Sequence, residues 1–116
     1  MPRRGLAYWR ILKNPFAGIR ATLRRTQAAS YFVELIELCT ESDHHEPELF
    51  SLLRRAFTYL NNNDPDLRAM LHFETELARI AGVHDTKMLK SNPSLALANL
   101  FGRLPSSRSD LLKVLG

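Results

Sequence analysis

Between Ala28 and Cys39 the chain is apolar on nearly every turn, with Tyr31, Phe32, Val33, Leu35, Ile36 and Leu38 leaving little room for a polar face. A helix apolar all round belongs at the centre of a fold. The pattern predicts a first long helix from about Ala17 to Thr40, whose opening half, with Arg20, Arg24 and Arg25, is polar and projects toward solvent. A polar linker follows over 41–46. Pro47 suits the first position of a second helix, and Glu48 suits its positive end. Leu49, Phe50, Leu52, Leu53, Ala56, Phe57 and Leu60 then form a wide apolar stripe that stops at Asn61-Asn62-Asn63.

Asp64-Pro65-Asp66 predicts the next start, with Asp64 as the cap and Pro65 as the first helical residue. The third helix carries Leu67, Met70, Leu71, Phe73, Leu77, Ile80 and Ala81 and stops at Gly82. Asn92-Pro93 opens a short helix through Leu100 that Gly102 closes, and Ser106 or Ser107 caps a last one ending near Leu115. No strand-like alternation runs beyond a few residues. The expected fold is all-α: a compact bundle of three main helices plus two short C-terminal ones. Two parts are expected, a basic lead over 1–15 and a helical domain over 16–116.

The chain has 116 residues, 45% of them hydrophobic. That length fits one domain able to bury about two-thirds of its surface. No apolar stretch approaches the ~18 residues that span a bilayer. Arg10 interrupts the short apolar segment near Met1, and no small-residue cleavage site follows, so secretion is not expected. The single cysteine, Cys39, lies in an apolar run and has no internal partner; a small buried residue in a reducing, cytoplasmic setting is the expected reading.

Charge distribution says more than the net +4. Residues 1–25 hold seven cations (Arg3, Arg4, Arg10, Lys13, Arg20, Arg24 and Arg25) and no acid, whereas 26–50 hold six acids and no Lys or Arg. Tyr8 and Trp9 sit among the first cations. Cations meet phosphates and rings stack on bases, so the seven are candidate contacts for single-stranded DNA. A solubilising tail, or one packed on the acidic 34–48 stretch, accounts for the same residues.

Enzyme chemistry finds no foothold in this pattern. His44 and His45 point apart, and His72 reads as a partly buried helical residue. No Cys-x-x-Cys or His-Glu-x-x-His is present, so no metal and no cofactor are expected. Glu74 and Glu76 fall on different helix faces. Glu34, amid apolar neighbours, reads as a structural ion-pair partner. Glycine-rich phosphate loops and nucleophile elbows are absent. Neither a catalytic residue nor a small-molecule substrate is expected.

Four ordered pieces carry a resemblance. They are Tyr31-Phe32-Val33-Glu34-Leu35-Ile36; Glu46-Pro47-Glu48-Leu49-Phe50 with Leu52, Leu53 and Leu60; Phe73-Glu74 with Leu77 and Gly82; and Gly102-Arg103-Leu104-Pro105-Ser106-Ser107-Arg108 with Leu111 and Leu112. Together they resemble the C-terminal part of the RecO family of bacterial recombination mediators. The resemblance implies an accessory protein of DNA repair and recombination. It implies RecR and the single-stranded-DNA-binding protein as partners, the latter docking its acidic, hydrophobic tail in an apolar pocket rimmed by arginine on the third helix and its neighbours. The alternative is a protein-interaction module without DNA binding. Three departures are visible. The family's OB-fold barrel has no counterpart before Phe16. Its zinc cysteines have none in Val83 to Lys90. Leu71-His72 stands where some members carry Arg-Arg, and Arg68, one turn earlier, is the expected substitute. Arg68, Leu71 and His72 are therefore the candidate partner-binding residues.

Overall fold

Thr22 divides what the apolar pattern reads as one helix. In the computed structural model of the chain, which describes residues 17–41, 47–82, 87 and 92–115, a 3-10 helix spans Ala17–Ala21 and α1 spans Leu23–Glu41. The Thr22 hydroxyl accepts from the Arg25 backbone N–H at 3.2 Å, so it caps α1, and it donates to Asp64 Oδ1 at 2.7 Å. A cap at this point lets the chain turn as it enters the core.

The remaining helices are α2 (Pro47–Asn62), α3 (Leu67–Ile80), α4 (Pro93–Phe101) and α5 (Ser107–Leu115). Among the described residues the named α-helices are thus three long and two short, and no strand occurs there. Their ends follow local chemistry. Asn92 accepts from the Leu95 backbone N–H at 3.1 Å, with Pro93 in the first turn of α4. Gly82 and Gly102 follow α3 and α4 with φ of 103° and 80°, left-handed values that glycine adopts without strain. One boundary differs from expectation. Asp66, not Asp64, caps α3, accepting from the Ala69 backbone N–H at 2.8 Å. Asp64 is instead committed to Thr22 and Arg25, and Pro65 stands before the cap.

Helix α1 is the hub. It packs against α2, α5 and the 3-10 helix, while α3 packs on α2 and α4. Tyr31, Phe32, Val33, Leu35, Ile36 and Cys39 of α1 are all buried, as the unbroken apolar run predicts. From α2 come Leu49, Leu52, Leu53, Phe57 and Leu60; from α3, Met70, Phe73, Leu77 and Ala78; from α4 and α5, Ala96, Leu97 and Leu111. Burial pushes the Cys39 thiol up to about 12.

Arg20 and Arg24 are exposed, as expected of a solvated start to α1, but Arg25 is not. Its side chain is 17% exposed. Its Nε donates to Asp64 Oδ1 at 3.0 Å, and its NH1 group donates to the carbonyls of Gly18 at 3.0 Å and Asn61 at 3.3 Å. The Gly18 N–H donates to Asn61 Oδ1 at 2.7 Å. One guanidinium thus closes the 3-10 helix onto the end of α2 and the loop before α3. The Thr22 hydroxyl, then Arg25, hold the Asp64 carboxyl below its ordinary range.

Gly18 makes this closure possible. A Cβ there would lie 2.1 Å from the Asn61 carbonyl oxygen, a backbone atom that has nowhere to go. Gly18→Ala is expected to destabilise the fold by about 1–3 kcal/mol, the usual cost of overpacking. Urea unfolding followed by circular dichroism measures it, and an unchanged midpoint would contradict the clamp.

Candidate functional site

A groove opens between α2 and α3. Its cavity measures about 490 Å³. Leu52, Ala56 and Leu60 of α2 line one wall and Ala69 of α3 the other, with Phe32 of α1 and Phe73 of α3 at the bottom. The two phenyl rings stack, their centroids 4.0 Å apart and their planes 12° from parallel. Around the apolar floor stand Arg55, Tyr59, Arg68 and His72, all exposed, with Asp66 at the loop end. The Asp66 carboxylate is occupied in capping α3. Positive charge therefore dominates a rim around an apolar slot, which suits an apolar side chain delivered beside acidic groups.

Arg68 and His72 reach this rim because they lie one turn apart on α3. Leu71 does not line the groove; it is half-buried and packs against the core. His72 is exposed rather than partly buried, because the face of α3 that it shares with Arg68 borders the groove instead of the core. Arg55 and Tyr59, also one turn apart, complete the rim from α2. Both lie off the apolar stripe of α2, and nothing in the spacing marks the gap beside them.

Three of the seven candidate DNA contacts fall within the described residues. Arg20 and Arg24 are exposed near the start of α1. Arg25 is spent on the clamp. Arg3, Arg4, Arg10 and Lys13 lie outside the described residues, as do His44, His45 and His84. Among the described residues no three His, Cys, Asp or Glu side chains gather as a metal site. No described helix is long and apolar enough to cross a membrane.

Behind the groove lies a buried polar network that periodicity did not reveal. Glu74 of α3 is 0% exposed. Its Oε2 accepts from the hydroxyl of Tyr31 and, at 2.8 Å, from Nε of Arg108 on α5. Its Oε1 has no hydrogen-bond partner among the described residues. A carboxylate buried this deeply persists because a cation and a phenol share one oxygen. Burial, then the Glu74 charge, raises the Tyr31 hydroxyl well above the ordinary phenol range, which keeps it a neutral donor. Burial alone would lower Arg108, but its hydrogen bond to Glu74 and the charge there raise it on balance. A second strap runs alongside: Ser107 Oγ donates to Glu34 Oε2 at 2.8 Å. Glu34 is half-buried and takes a hydroxyl, so the expected ion-pair role falls to Glu74 instead. Glu76 faces outward and pairs with Arg79 at 2.9 Å.

The model of the family described as "Recombination protein O C terminal" matches residues 20–84, more than half of the chain. The chain belongs to the RecO family. Neither a curated protein nor a solved structure matches it. The RecO match covers α1, α2 and α3, and so takes in every lining residue of the groove together with Tyr31, Glu34 and Glu74. Ser107 and Arg108 lie beyond it, in the stretch whose likeness to the RecO closing segment rests on Gly102 to Arg108, Leu111 and Leu112. Geometry nevertheless ties them to the matched part.

Removing Arg108 would strand a buried carboxylate. Arg108→Ala is expected to cost about 3–5 kcal/mol, read from chemical unfolding. Alkaline unfolding supplies a second check. The phenol is raised in the folded state, so its contribution is complete below the ordinary phenol pKa of about 10 and is lost as pH rises beyond it. Tyr31→Phe should therefore flatten the alkaline limb of stability, and equal slopes in the two proteins would count against the buried phenol.

Proposed function

We propose that this RecO-family chain is a non-catalytic, cytoplasmic accessory of DNA repair and recombination that works by docking. Its occupant is the acidic, hydrophobic tail of the single-stranded-DNA-binding protein, held in the α2–α3 groove. The observation that carries this reading is the match of shapes and charges. An apolar slot floored by Phe32 and Phe73 takes apolar side chains, and Arg55, Arg68 and His72 face the acidic ones. Arg68 takes up the role for which some relatives use an Arg-Arg pair.

Fluorescence anisotropy with a labelled peptide of several aspartates followed by apolar residues tests this directly. A hydrogen bond to a charged group contributes about 1.5–3 kcal/mol, so Arg55→Ala or Arg68→Ala should each weaken binding by roughly tenfold or more. Ala56→Glu, which places bulk and negative charge in the slot, should abolish it. Binding should also weaken with added salt, because the rim is exposed. An unchanged Kd in all three variants would reject the groove as the docking site.

A second reading rests on Arg20 and Arg24, exposed cations near the start of α1. Binding to the phosphates of single-stranded DNA through these two is expected to be sequence-independent. Neutralising both should flatten the dependence of log affinity on log salt by about one unit for each phosphate no longer neutralised. Arg25→Gln should lower stability more than DNA affinity, since its guanidinium is already engaged. An unaltered salt slope in the double variant would leave the chain a protein-docking module.

A further inference from the structure

Tyr31 and Phe32 are neighbours on α1, and Phe73 and Glu74 are neighbours on α3. The two pairs meet face to face. Phe32 stacks on Phe73 at 4.0 Å, while Tyr31 bonds to Glu74. One contact forms the floor of the groove; the other lies behind it and lines none of it. Arg108 closes the second contact from α5, at 2.8 Å from the same carboxylate oxygen. Side chains, more than close backbone packing, hold α1 and α3 in register, since the principal backbone approaches of α3 are to α2 and α4.

We infer that Arg108 is a positioning residue for the groove: by holding Glu74 against Tyr31 it sets the rotation of α3, and so the stacking of Phe73 on Phe32 beneath the docking slot. A helix is stiff over two adjacent residues, so whatever turns Glu74 turns Phe73. At the ~5 Å radius where helix side chains lie, a rotation of about 10° moves a ring by roughly 1 Å. A gap of that size forfeits a quarter to a half of each dispersion contact across it. Arg68 and His72, on the same helix, would swing along the rim together with the ring. Ser107, bonded to Glu34 at 2.8 Å, keeps α5 seated while Arg108 does this. The last helix thereby acts on a surface that it does not touch.

The functional half of this inference rests on the docking reading above, so the experiment has two readouts. The first is the anisotropy Kd of the acidic–apolar peptide, measured well below each variant's melting temperature. The second is the NMR signals of the Phe32 and Phe73 rings in the unliganded protein, which need no peptide. The variants are Arg108→Gln and the double variant Arg108→Gln with Glu74→Gln. The double variant removes the buried charge that the single one strands, and so keeps the test alive if the single fails to fold. Arg79→Ala, which breaks the surface pair with Glu76 on the same helix, is the control.

Coupling through packed side chains typically amounts to roughly two- to thirty-fold in affinity. The Arg108 variants are expected to shift both ring signals and weaken peptide binding within that range, with Arg79→Ala changing neither. Shifted rings in a protein whose wild type binds no peptide would keep the positioning role and sink the docking reading. Unmoved rings with an unchanged Kd, in variants whose only defect is a lower melting temperature, would overturn the inference and leave Arg108 a structural residue.

Discussion

One carboxylate organises this protein. Glu74 lies where no water reaches it, and a bare negative charge there would be too costly to keep. Arg108 and Tyr31 answer it from two other helices, 34 and 43 residues away along the chain. Replacing all three groups with apolar ones could serve stability as well, since buried ion pairs gain little over good packing. What a directional bond adds is uniqueness. Leu77, Met70 and Ala78 could slide against the core with modest loss, whereas Glu74 has one orientation in which its charge is met.

Two polar fastenings divide the labour. At the edge of the fold, Arg25 gathers Asp64 and the carbonyls of Gly18 and Asn61, pinning the entry of α1 to the α2–α3 loop. In the interior, Glu74 pins the middle of α3 to α1 and α5. Between them α3 is held at both its start and its centre, while its outer face, with Arg68 and His72, stays open beside α2. The groove is thus the space that remains when α3 is fixed at a set distance from its neighbours. Phe32 and Phe73 fill its bottom without closing its mouth.

Much of the fold was legible because it is written in local terms. The unbroken apolar run of α1, the stripe of α2, and the punctuation by Pro47, Gly82, Asn92-Pro93 and Gly102 each act over a few residues, and each placed an element correctly. The misreadings came where a residue serves something distant. Thr22 looked like one more helical position, yet its hydroxyl caps α1 while reaching residue 64. Asp64 looked like a cap and is that partner. Arg25 looked solvated because its two carbonyl acceptors are invisible to charge counting. Glu74 falls on the apolar stripe of α3 with Met70 and Leu77, so spacing turns it inward rather than Glu76, but the phenol and guanidinium that meet it lie on other helices and no spacing shows them. On the groove, Arg68 and His72 followed from the family resemblance, while Arg55 and Tyr59 were masked by their place on the polar side of a strongly amphipathic helix.

Cys39 is useful because it is so unreactive. Its thiol is fully enclosed in the hub helix and burial raises it to about 12, so at neutral pH it stays a protonated, poorly nucleophilic thiol. Alkylating reagents can reach and attack it only when α1 comes away from its surroundings. The chain therefore carries its own clock for the opening of its core: the rate at which this sulfur is modified counts how often the hub lets go, with no label to attach and no second cysteine to confuse the signal.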